Sequence, residues 1–460
     1  MRAIFCAWLL VASGVVFCVR AAQENPAVTT PPDSFFELVN LRDREAAKSF
    51  YTKYLDVQGM PVVGSKEVAD EALRRTRWIV LHLLAGRPDV VEAMKKNRMY
   101  LIVIGRDQLY CDMPEYSHAQ NAAYLNERVR GTGGRPTSFG EENVLSLPLD
   151  RYDDESIAVH EFCHTIDGAL RSIDPTWTER RNKIFRDALE KRLWKNTYAG
   201  SNPGEFWAEI CQSYFDCNRI NNWNHGAIGT REQLKEYDPE SYELVRDTFK
   251  LEGDKDWKYT WAQKLPNVTA PPAKFKIDPY YTKFTWAREF TVVGRDASDA
   301  ELLRANNVIR KMLAYRHDIL KALIADGWRL AVTKRGEKIP EDAKMLRVDA
   351  GSDADVIRIF AKTFYDVTAH RAVDPNWDKR RDVQQYEMRV KRLDEDFGKR
   401  VAELHDKAKA SNSAADYWAD GVVKYFGRQR EELEKSDSDF FALVKETMAY
   451  EGHPDWRFEP

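Results

Sequence analysis

The sequence predicts an α+β fold that is mostly helical, has few strands and occurs twice along the chain. Three observations support this: long stretches follow a helical apolar pattern, one short run of branched residues is typical of a buried strand, and a set of short motifs recurs in both halves. Hydrophobic residues make up 43% of the 460 residues and aromatic residues 12%, which is enough for more than one core.

The individual elements follow from local patterns. Helices are predicted for Glu67 to Met94, Ser156 to Leu170, Thr178 to Trp194 and the segment from Pro203 through Phe215. Proline fits the first position of a helix, so Pro203 is expected to open the last of them. Met99 to Gly105 is short, apolar and rich in branched residues, and it predicts a buried strand.

Motifs shared by the two halves keep their order along the chain. Examples are Phe50-Tyr51-Thr52-Lys53-Tyr54 with Tyr280-Tyr281-Thr282-Lys283-Phe284, Val62-Val63-Gly64 with Val292-Val293-Gly294, and Phe206-Trp207-Ala208 with Tyr417-Trp418-Ala419. This correspondence indicates that a whole domain is duplicated, because a solenoid would repeat a much shorter unit.

The expected organisation has five parts. A signal peptide occupies residues 1–21 and a flexible tail 22–34. The domain that carries the chemistry covers 35–260, a Pro-rich linker covers 261–278, and a degenerate, non-catalytic copy covers 279–460.

Export is predicted from the N-terminus. A basic residue, Arg2, precedes an apolar run from Ile4 to Val19, and cleavage is expected after Ala21 or Ala22. The run is shorter than the roughly 20 apolar residues of a membrane span, so no stable membrane insertion is expected and the mature chain is predicted to be extracellular or periplasmic. An uncleaved anchor and lipidation at Cys18 remain alternatives.

Charge and cysteine content limit the possible partners of the chain and the possible states of its thiols. The net charge is −3 and no basic block is interleaved with aromatic residues, so nucleic acid is not an expected partner. Four cysteines follow the signal peptide, and an exported chain with this number has either two disulfides of unknown pairing or buried free thiols. They are Cys111, Cys163, Cys211 and Cys217. The oligomeric state stays open.

His160-Glu161-Phe162-Cys163-His164 carries the strongest chemical signal. Residues four apart lie one above the other on a helix, so both imidazoles reach a single metal ion. Glu161 is then placed to act as general base on a zinc-bound water. The pattern predicts one Zn²⁺ per chain, in the first domain, with His160 and His164 as ligands; a charged helix with two surface histidines is the alternative.

A catalytic zinc site has three protein ligands and one open position, so a third ligand is required. Glu205 and Glu209 lie four apart on a later predicted helix. We expect Glu205 to bind the metal and Glu209 to accept the N–H of a ligating histidine, which fixes its tautomer. The reverse assignment stays open, and Asp167 and Glu155 are weaker candidates for the supporting role.

These motifs resemble those of the gluzincin peptidases, and more narrowly those of the anthrax lethal factor catalytic domain and the proline-specific endopeptidases of clostridia. The resemblance rests on HExxH followed by a tyrosine and, seven residues later, by the string Glu205-Phe206-Trp207-Ala208-Glu209. It implies a zincin-like metallopeptidase fold, and it implies that the hydroxyl of Tyr198 faces the reacting carbonyl. Arg130 to Gly134 and Gly140 to Asn143 also resemble exported microbial proteins with such a motif.

The second half lacks the chemistry. The residues that align with His160, Glu161, His164, Glu205 and Glu209 are, in that order, Phe360, Ala361, Phe364, Asp416 and Asp420. Phenylalanine cannot bind zinc, so no catalytic metal is expected there. Segments within Pro114 to Asp154 and Asn218 to Thr230 occur only in the first half; Arg130 to Asn143 and Asn221 to Gly229 are expected to line a substrate groove, with ordinary loop variation as the alternative.

The sequence therefore predicts a secreted zinc metalloendopeptidase that acts on a peptide or protein substrate. The first alternative is a catalytically inactive secreted binding or adhesion protein built on a duplicated zincin-like scaffold, and zinc content distinguishes the two. The second alternative is zinc-dependent hydrolysis of another bond, in a cell-wall peptide or a glycan-linked substrate.

Overall fold

The computed structural model describes residues 26–195, 197–220, 225–262, 268–314, 316, 319–320, 323–324, 326–350, 352–368 and 397–449, the side chains of 127, 128, 367, 368 and 449 excepted. The chain divides into two compact units: the first runs to Arg219 and includes Ile228–Leu265, and the remainder forms the second. The expected signal peptide at 1–21 and its cleavage point lie outside the described residues. No helix in the described part is both long enough and apolar enough to cross a membrane.

The first unit is a mixed α/β structure. Its helices are α1 (Asp33–Phe36), α2 (Arg44–Phe50), α3 (Asp70–Leu83), α4 (Pro88–Lys96), α5 (Ala122–Arg128), α6 (Glu141–Val144), α7 (Ile157–Ile173), α8 (Trp177–Glu190), α9 (Pro203–Tyr214), α10 (Arg231–Tyr237) and α11 (Pro239–Phe249). Its strands are β1 (Lys53–Val57), β2 (Met60–Gly64), β3 (Leu101–Ile104), β4 (Gly131–Thr132) and β5 (Thr137–Gly140).

These strands form one sheet in the order β1-β2-β3-β5-β4. The pairs β2–β3 and β3–β5 are parallel, whereas β1–β2 and β4–β5 are antiparallel, so β4 is a short antiparallel strand at one edge. Strand β3 is buried along its whole length, which confirms the strand predicted for Met99 to Gly105. A strand covered on both faces reads as a continuous apolar run because neither face meets water.

The two faces of β3 belong to two different cores. Leu101 and Val103 pack with the main core, which also holds Phe162 of α7 and Trp207 of α9. Ile102 and Ile104 point to a smaller core built around Phe35, Tyr51 and Tyr100. The main core therefore places α7 and α9 on one face of the sheet, and their apolar sides fix their positions.

One helical prediction was wrong. The stretch from Glu67 to Met94 is two helices, α3 and α4, with a break that contains Gly86 and Arg87. A Cβ added at Gly86 would lie 2.2 Å from the carbonyl oxygen of Phe249, so only glycine fits at this break, where the end of α11 packs against it. Pro88 then opens α4 at its first turn, where its missing N–H costs nothing.

Strand-like pairing occurs in both the expected tail and the expected linker. The N–H of Thr29 donates to the carbonyl of Tyr54 at 3.0 Å, and the N–H of Tyr54 donates back at 2.8 Å. Within the second unit, Thr269 and Phe284 exchange the same two bonds at 2.9 and 2.8 Å. Each threonine stands in a Val-Thr-x-Pro-Pro sequence, a match between the halves that extends the repeat beyond the motifs described above.

The second unit contains a smaller sheet. Its strands are β6 (Lys283–Ala287), β7 (Phe290–Gly294), β8 (Arg329–Thr333) and β9 (Met345–Asp349), in the order β6-β7-β8-β9. Its helices include α12 (Asp299–Met312), α13 (Asp353–Thr368), α14 (Ala414–Phe426), α15 (Arg430–Ser436) and α16 (Ser438–Ala449). The pair β6–β7 is antiparallel and the other two pairs are parallel, as for β1-β2-β3-β5. No described strand of this sheet corresponds to β4.

All four cysteines among the described residues are free thiols. Three of them are fully buried in the first unit, and Cys111 is partly exposed. The structure therefore shows the second of the two states that the sequence allows, in which the thiols pack in the core.

Candidate metal centre

Helix α7 presents the two histidines. Ser156 is its N-cap, and the hydroxyl of Ser156 accepts from the N–H of Val159 at 3.3 Å. The side-chain oxygen of Asn143 accepts from the N–H of Ile157 at 2.8 Å, so two side chains satisfy the first turn. One face of the helix is apolar and packs in the core, which turns His160 and His164 toward α9.

Helix α9 presents the third candidate ligand. Asn202 is its N-cap and accepts from the N–H groups of Gly204 and Glu205 at 2.9 and 3.0 Å. Pro203 opens the helix as the sequence predicts. The indole N–H of Trp207 donates to the carbonyl of Cys163 at 2.9 Å and ties α9 to α7. Glu205 therefore projects from the first turn of α9 toward the histidines.

The three predicted ligand atoms form a compact triangle. His160 Nε2 lies 3.2 Å from His164 Nε2, and Glu205 Oε2 lies 3.1 Å from the first of these nitrogens and 3.3 Å from the second. Ligand atoms on a tetrahedral zinc with bonds of about 2.0–2.1 Å stand roughly 3.3 Å apart. Two imidazole nitrogens and one carboxylate oxygen at this spacing fit three corners of such a site, and the fourth corner is left to water or substrate.

The charges within this triangle are coupled. Burial alone would raise the pKa of Glu205, but hydrogen bonds with His160 and His164 outweigh it and hold that pKa well below its ordinary value. Burial would lower the pKa of His160, but its bond to Glu205 and the surrounding carboxylates raise it. A metal ligand must be deprotonated, so a cation held by these atoms would displace the proton between Glu205 and the histidines.

Glu161 lies on the same helix between the two histidines. Burial raises its pKa above the ordinary value of a glutamate, and the neighbouring histidines only partly oppose this. A carboxylate with a raised pKa exchanges a proton near neutrality more readily than an exposed one. Its environment therefore suits a general base.

Tyr198 stands in the loop before α9. Its ring lies 6.2 Å from the ring of His160, centroid to centroid, with an interplanar angle of 21°. Burial raises the pKa of its hydroxyl, and the nearby carboxylate of Glu205 raises it further. The phenol therefore stays protonated near neutral pH and is able to donate a hydrogen bond.

The remaining candidates lie outside the triangle. Glu209 Oε1 is 3.5 Å from His160 Nδ1, on the far side of the ring from Glu205. Asp167 accepts from the indole of Trp177 at 2.8 Å and pairs with Arg181, and Glu155 pairs with a buried arginine at 3.4 Å. The triangle contains Glu205 and not Glu209.

One residue that the sequence analysis missed makes a closer contact with His160. Gln212 Oε1 lies 2.8 Å from His160 Nδ1, and Gln212 is fully buried. A signal for it exists in the sequence: Glu205, Glu209 and Gln212 are spaced i, i+4 and i+7, so they share one face of α9.

The structure explains the two motifs around Arg130 and Glu142. The guanidinium of Arg130 forms a buried two-bond pair with the carboxylate of Glu142, at 2.6 and 2.7 Å, and also donates to two carbonyls. Glu141 accepts from the backbone N–H groups of Ala69 and Arg106. With Asn143 at the start of α7, these side chains hold strand β4 and helix α7 in one framework.

The positions of the second unit that the shared motifs align with the candidate ligands carry other side chains. Phe360, Ala361 and Phe364 are buried in its core, with at most 1% of their surface exposed. Lys362 pairs with Asp416 at 2.7 Å, and Arg358 pairs with Asp420. Among the described residues from 268 onward, no group of His, Cys, Asp or Glu has the spacing of a metal site.

Comparison with known proteins gives one structural neighbour. The chain is similar to the PRO-PRO endopeptidase (PPEP-2) from Paenibacillus alvei, with 14% sequence identity and a TM-score of 0.30 over 40% of this chain and 96% of that one. No protein-family model matches the chain, and no curated protein matches it.

Proposed function

We propose that this chain is a secreted, zinc-dependent metallopeptidase that hydrolyses peptide bonds. The observation that carries the proposal is the triangle of His160 Nε2, His164 Nε2 and Glu205 Oε2, whose sides of 3.1 to 3.3 Å match three corners of a tetrahedral zinc site. These three residues would hold the ion, one per chain.

Each catalytic group has a separate role. Zinc, when bound, supplies Lewis acidity and lowers the pKa of a bound water toward 7. Glu161 removes a proton from the attacking water and delivers it to the departing amine. The protonated phenol of Tyr198 donates to the oxygen that becomes negative in the transition state. Buried surroundings favour both roles, because they raise the pKa of both side chains.

Of the segment Arg130 to Asn143, the part around strand β4 is the proposed wall of the substrate groove, because Glu141, Glu142 and Asn143 at its other end are buried. Strand β4 is an edge of the sheet, and Gly131 is packed so closely on α7 that an added Cβ would lie 3.1 Å from Cγ of Glu161. An extended peptide is able to pair with an edge strand, which would bring its backbone past the catalytic glutamate. Residues 221–224 of the other proposed groove segment lie outside the described residues.

The domain organisation is part of the proposal. A catalytic domain at 35–260 and a non-catalytic copy at 279–460 would derive from one ancestral domain, with the linker at 261–278. The shared strand order, the equal register of Lys53 with Gly64 and of Lys283 with Gly294, and the two Val-Thr-x-Pro-Pro pairings support this. A second copy that keeps its fold after losing the ligands indicates that the ligands of the first serve function.

A digest tests the function directly. The mature protein would be incubated with a mixed peptide library, with and without a chelator, and its zinc content measured. We expect cleavage that stops with the chelator and returns with zinc, at about one ion per chain. Stoichiometric zinc with no peptide cleavage would favour another hydrolysed bond, and absence of both would favour the inactive binding scaffold.

A further inference from the structure

The ring of His160 makes one contact that the proposed function does not explain, at the nitrogen Nδ1 that faces away from the triangle. Its Nε2 faces His164 and Glu205, whereas its Nδ1 faces Gln212 Oε1 at 2.8 Å. Gln212 is fully buried, and none of the roles assigned above uses it. A buried amide beside a candidate ligand has a definite orientation, which its other contacts reveal.

Those contacts fix the direction of the hydrogen bond. Gln212 Nε2 donates to the carbonyl oxygen of Ser156 at 3.1 Å. A carbonyl only accepts, so the amide nitrogen must face Ser156 and the amide oxygen must face His160. The oxygen also only accepts, so Nδ1 of His160 carries the proton. The neutral ring then has its lone pair on Nε2, which is the atom in the triangle.

A neutral acceptor suits this position. Three carboxylates already surround His160: those of Glu205 and Glu209 lie 3.1 and 3.5 Å from its ring nitrogens, and Glu161 is the next residue in the chain. A fourth negative charge behind the ring would add repulsion in a buried place, because like charges are costly where water is excluded. Glu209 lies 3.5 Å from Nδ1, whereas the amide oxygen of Gln212 lies 2.8 Å from it. Glu209 instead accepts a hydrogen bond from Asn218.

The second half of the chain offers a comparison for Gln212. If the proposed alignment is extended along α14, the position of Gln212 is occupied by Val423. The flanking residues agree, since Tyr214 and Phe215 correspond to Tyr425 and Phe426. The amide is therefore absent where the histidine has become Phe360.

We infer that Gln212 is a positioning residue that fixes the tautomer and ring orientation of His160 for metal binding. The inference rests on the proposed zinc function. Gln212 also donates to the carbonyl of Ser156, and this second hydrogen bond ties α9 to the start of α7. Groups that hold a ligating histidine in this way typically account for about 10–100-fold in metal affinity.

The test is zinc affinity measured by competition with a chromophoric chelator, supported by the visible spectrum of the cobalt-substituted protein. Gln212→Met keeps the size but loses the acceptor. Gln212→Glu keeps an acceptor for Nδ1. Ser213→Ala is the matched control: the neighbouring Ser213 is equally buried and its hydroxyl donates to the carbonyl of Ile228 at 3.1 Å, without contact to His160.

We expect Gln212→Met to weaken zinc binding about 10–100-fold and to change the cobalt spectrum, with Gln212→Glu recovering part of the loss and Ser213→Ala within twofold of wild type. Unchanged affinity in Gln212→Met would overturn the inference, as would equal losses in Gln212→Met and Ser213→Ala. If wild type itself takes up no zinc, the proposed function fails, whereas a zinc-binding wild type with an indifferent Gln212 defeats this inference alone.

Discussion

Gly133 and His164 are in direct backbone-to-side-chain contact. A Cβ added at Gly133 would lie 2.5 Å from Cβ of His164 and 2.8 Å from the carbonyl oxygen of Glu161. The Gly-rich segment after Arg130 therefore packs on the HExxH helix with no space between them, and glycine is required for this close approach. Strand β4 and the candidate ligands are thus one packed unit.

Gly133→Ala tests this packing. The added methyl group must displace α7 or the β4 loop, at a cost of about 1–3 kcal/mol, and we expect weaker zinc binding and lower activity. Zinc titration and thermal unfolding measure both effects. Gly168→Ala, on the same helix, is the control: only Arg171 lies within 4 Å of its added Cβ, and alanine should stabilise the helix by roughly 0.5–1 kcal/mol. Equal behaviour of the two variants would contradict the packing argument.

Glu161→Gln separates chemistry from metal binding. The amide has nearly the shape of the carboxylate but cannot accept the proton of water, so kcat should fall by about 10²–10⁴-fold. Zinc content should stay at the wild-type value because Glu161 is not a ligand. Turnover at the wild-type rate would show that another group is the base.

Tyr198→Phe removes one hydrogen-bond donor and leaves the ring in place. If the phenol stabilises the oxyanion, kcat should fall by about 10²–10³-fold while zinc affinity and KM change little. Steady-state kinetics together with zinc titration distinguish this from a packing role. A rise in KM with kcat unchanged would assign Tyr198 to substrate binding instead.

Glu301 provides a pH-dependent prediction for the second unit. Its bonds with Lys334, and then with Ser298 at the start of α12, lower its pKa to about 2. A folded-state pKa below the unfolded value contributes stability above the unfolded pKa, and that contribution is lost as the pH falls toward about 2. Thermal unfolding of Glu301→Gln should therefore show a deficit at pH 7 that shrinks toward pH 2. A deficit independent of pH would contradict it.

Most of the predictions that the structure confirms rest on patterns within a single helix or strand. The spacing of His160 and His164 lies within one helix, and β3 is an uninterrupted apolar run, so neither prediction needed tertiary information. The orientation of Gln212 could not be predicted in this way, because it depends on how α7 and α9 pack and on the carbonyl of Ser156.

The prediction of one helix from Glu67 to Met94 failed because the break between α3 and α4 depends on tertiary packing. Helical periodicity continues across Gly86 and Pro88, and the pattern gave no sign that the end of α11 lies against Gly86. Proline was an available signal for a new helix start, since it fits the first turn. The pairing of Thr29 with Tyr54 was hidden because proline-rich segments commonly indicate linkers, whereas here they adjoin a sheet.

Zinc content of the purified protein, with unfolding followed as zinc is added to the metal-free form, tests the central claim most directly. A ligand that binds only the folded state stabilises it in proportion to RT ln(1 + [L]/Kd), or about 4 kcal/mol at 1,000 times Kd. We predict one zinc per chain, a higher unfolding temperature with zinc, and loss of both in His160→Phe, the residue that the second half carries. No bound zinc in wild type, or equal zinc in His160→Phe, would contradict the account.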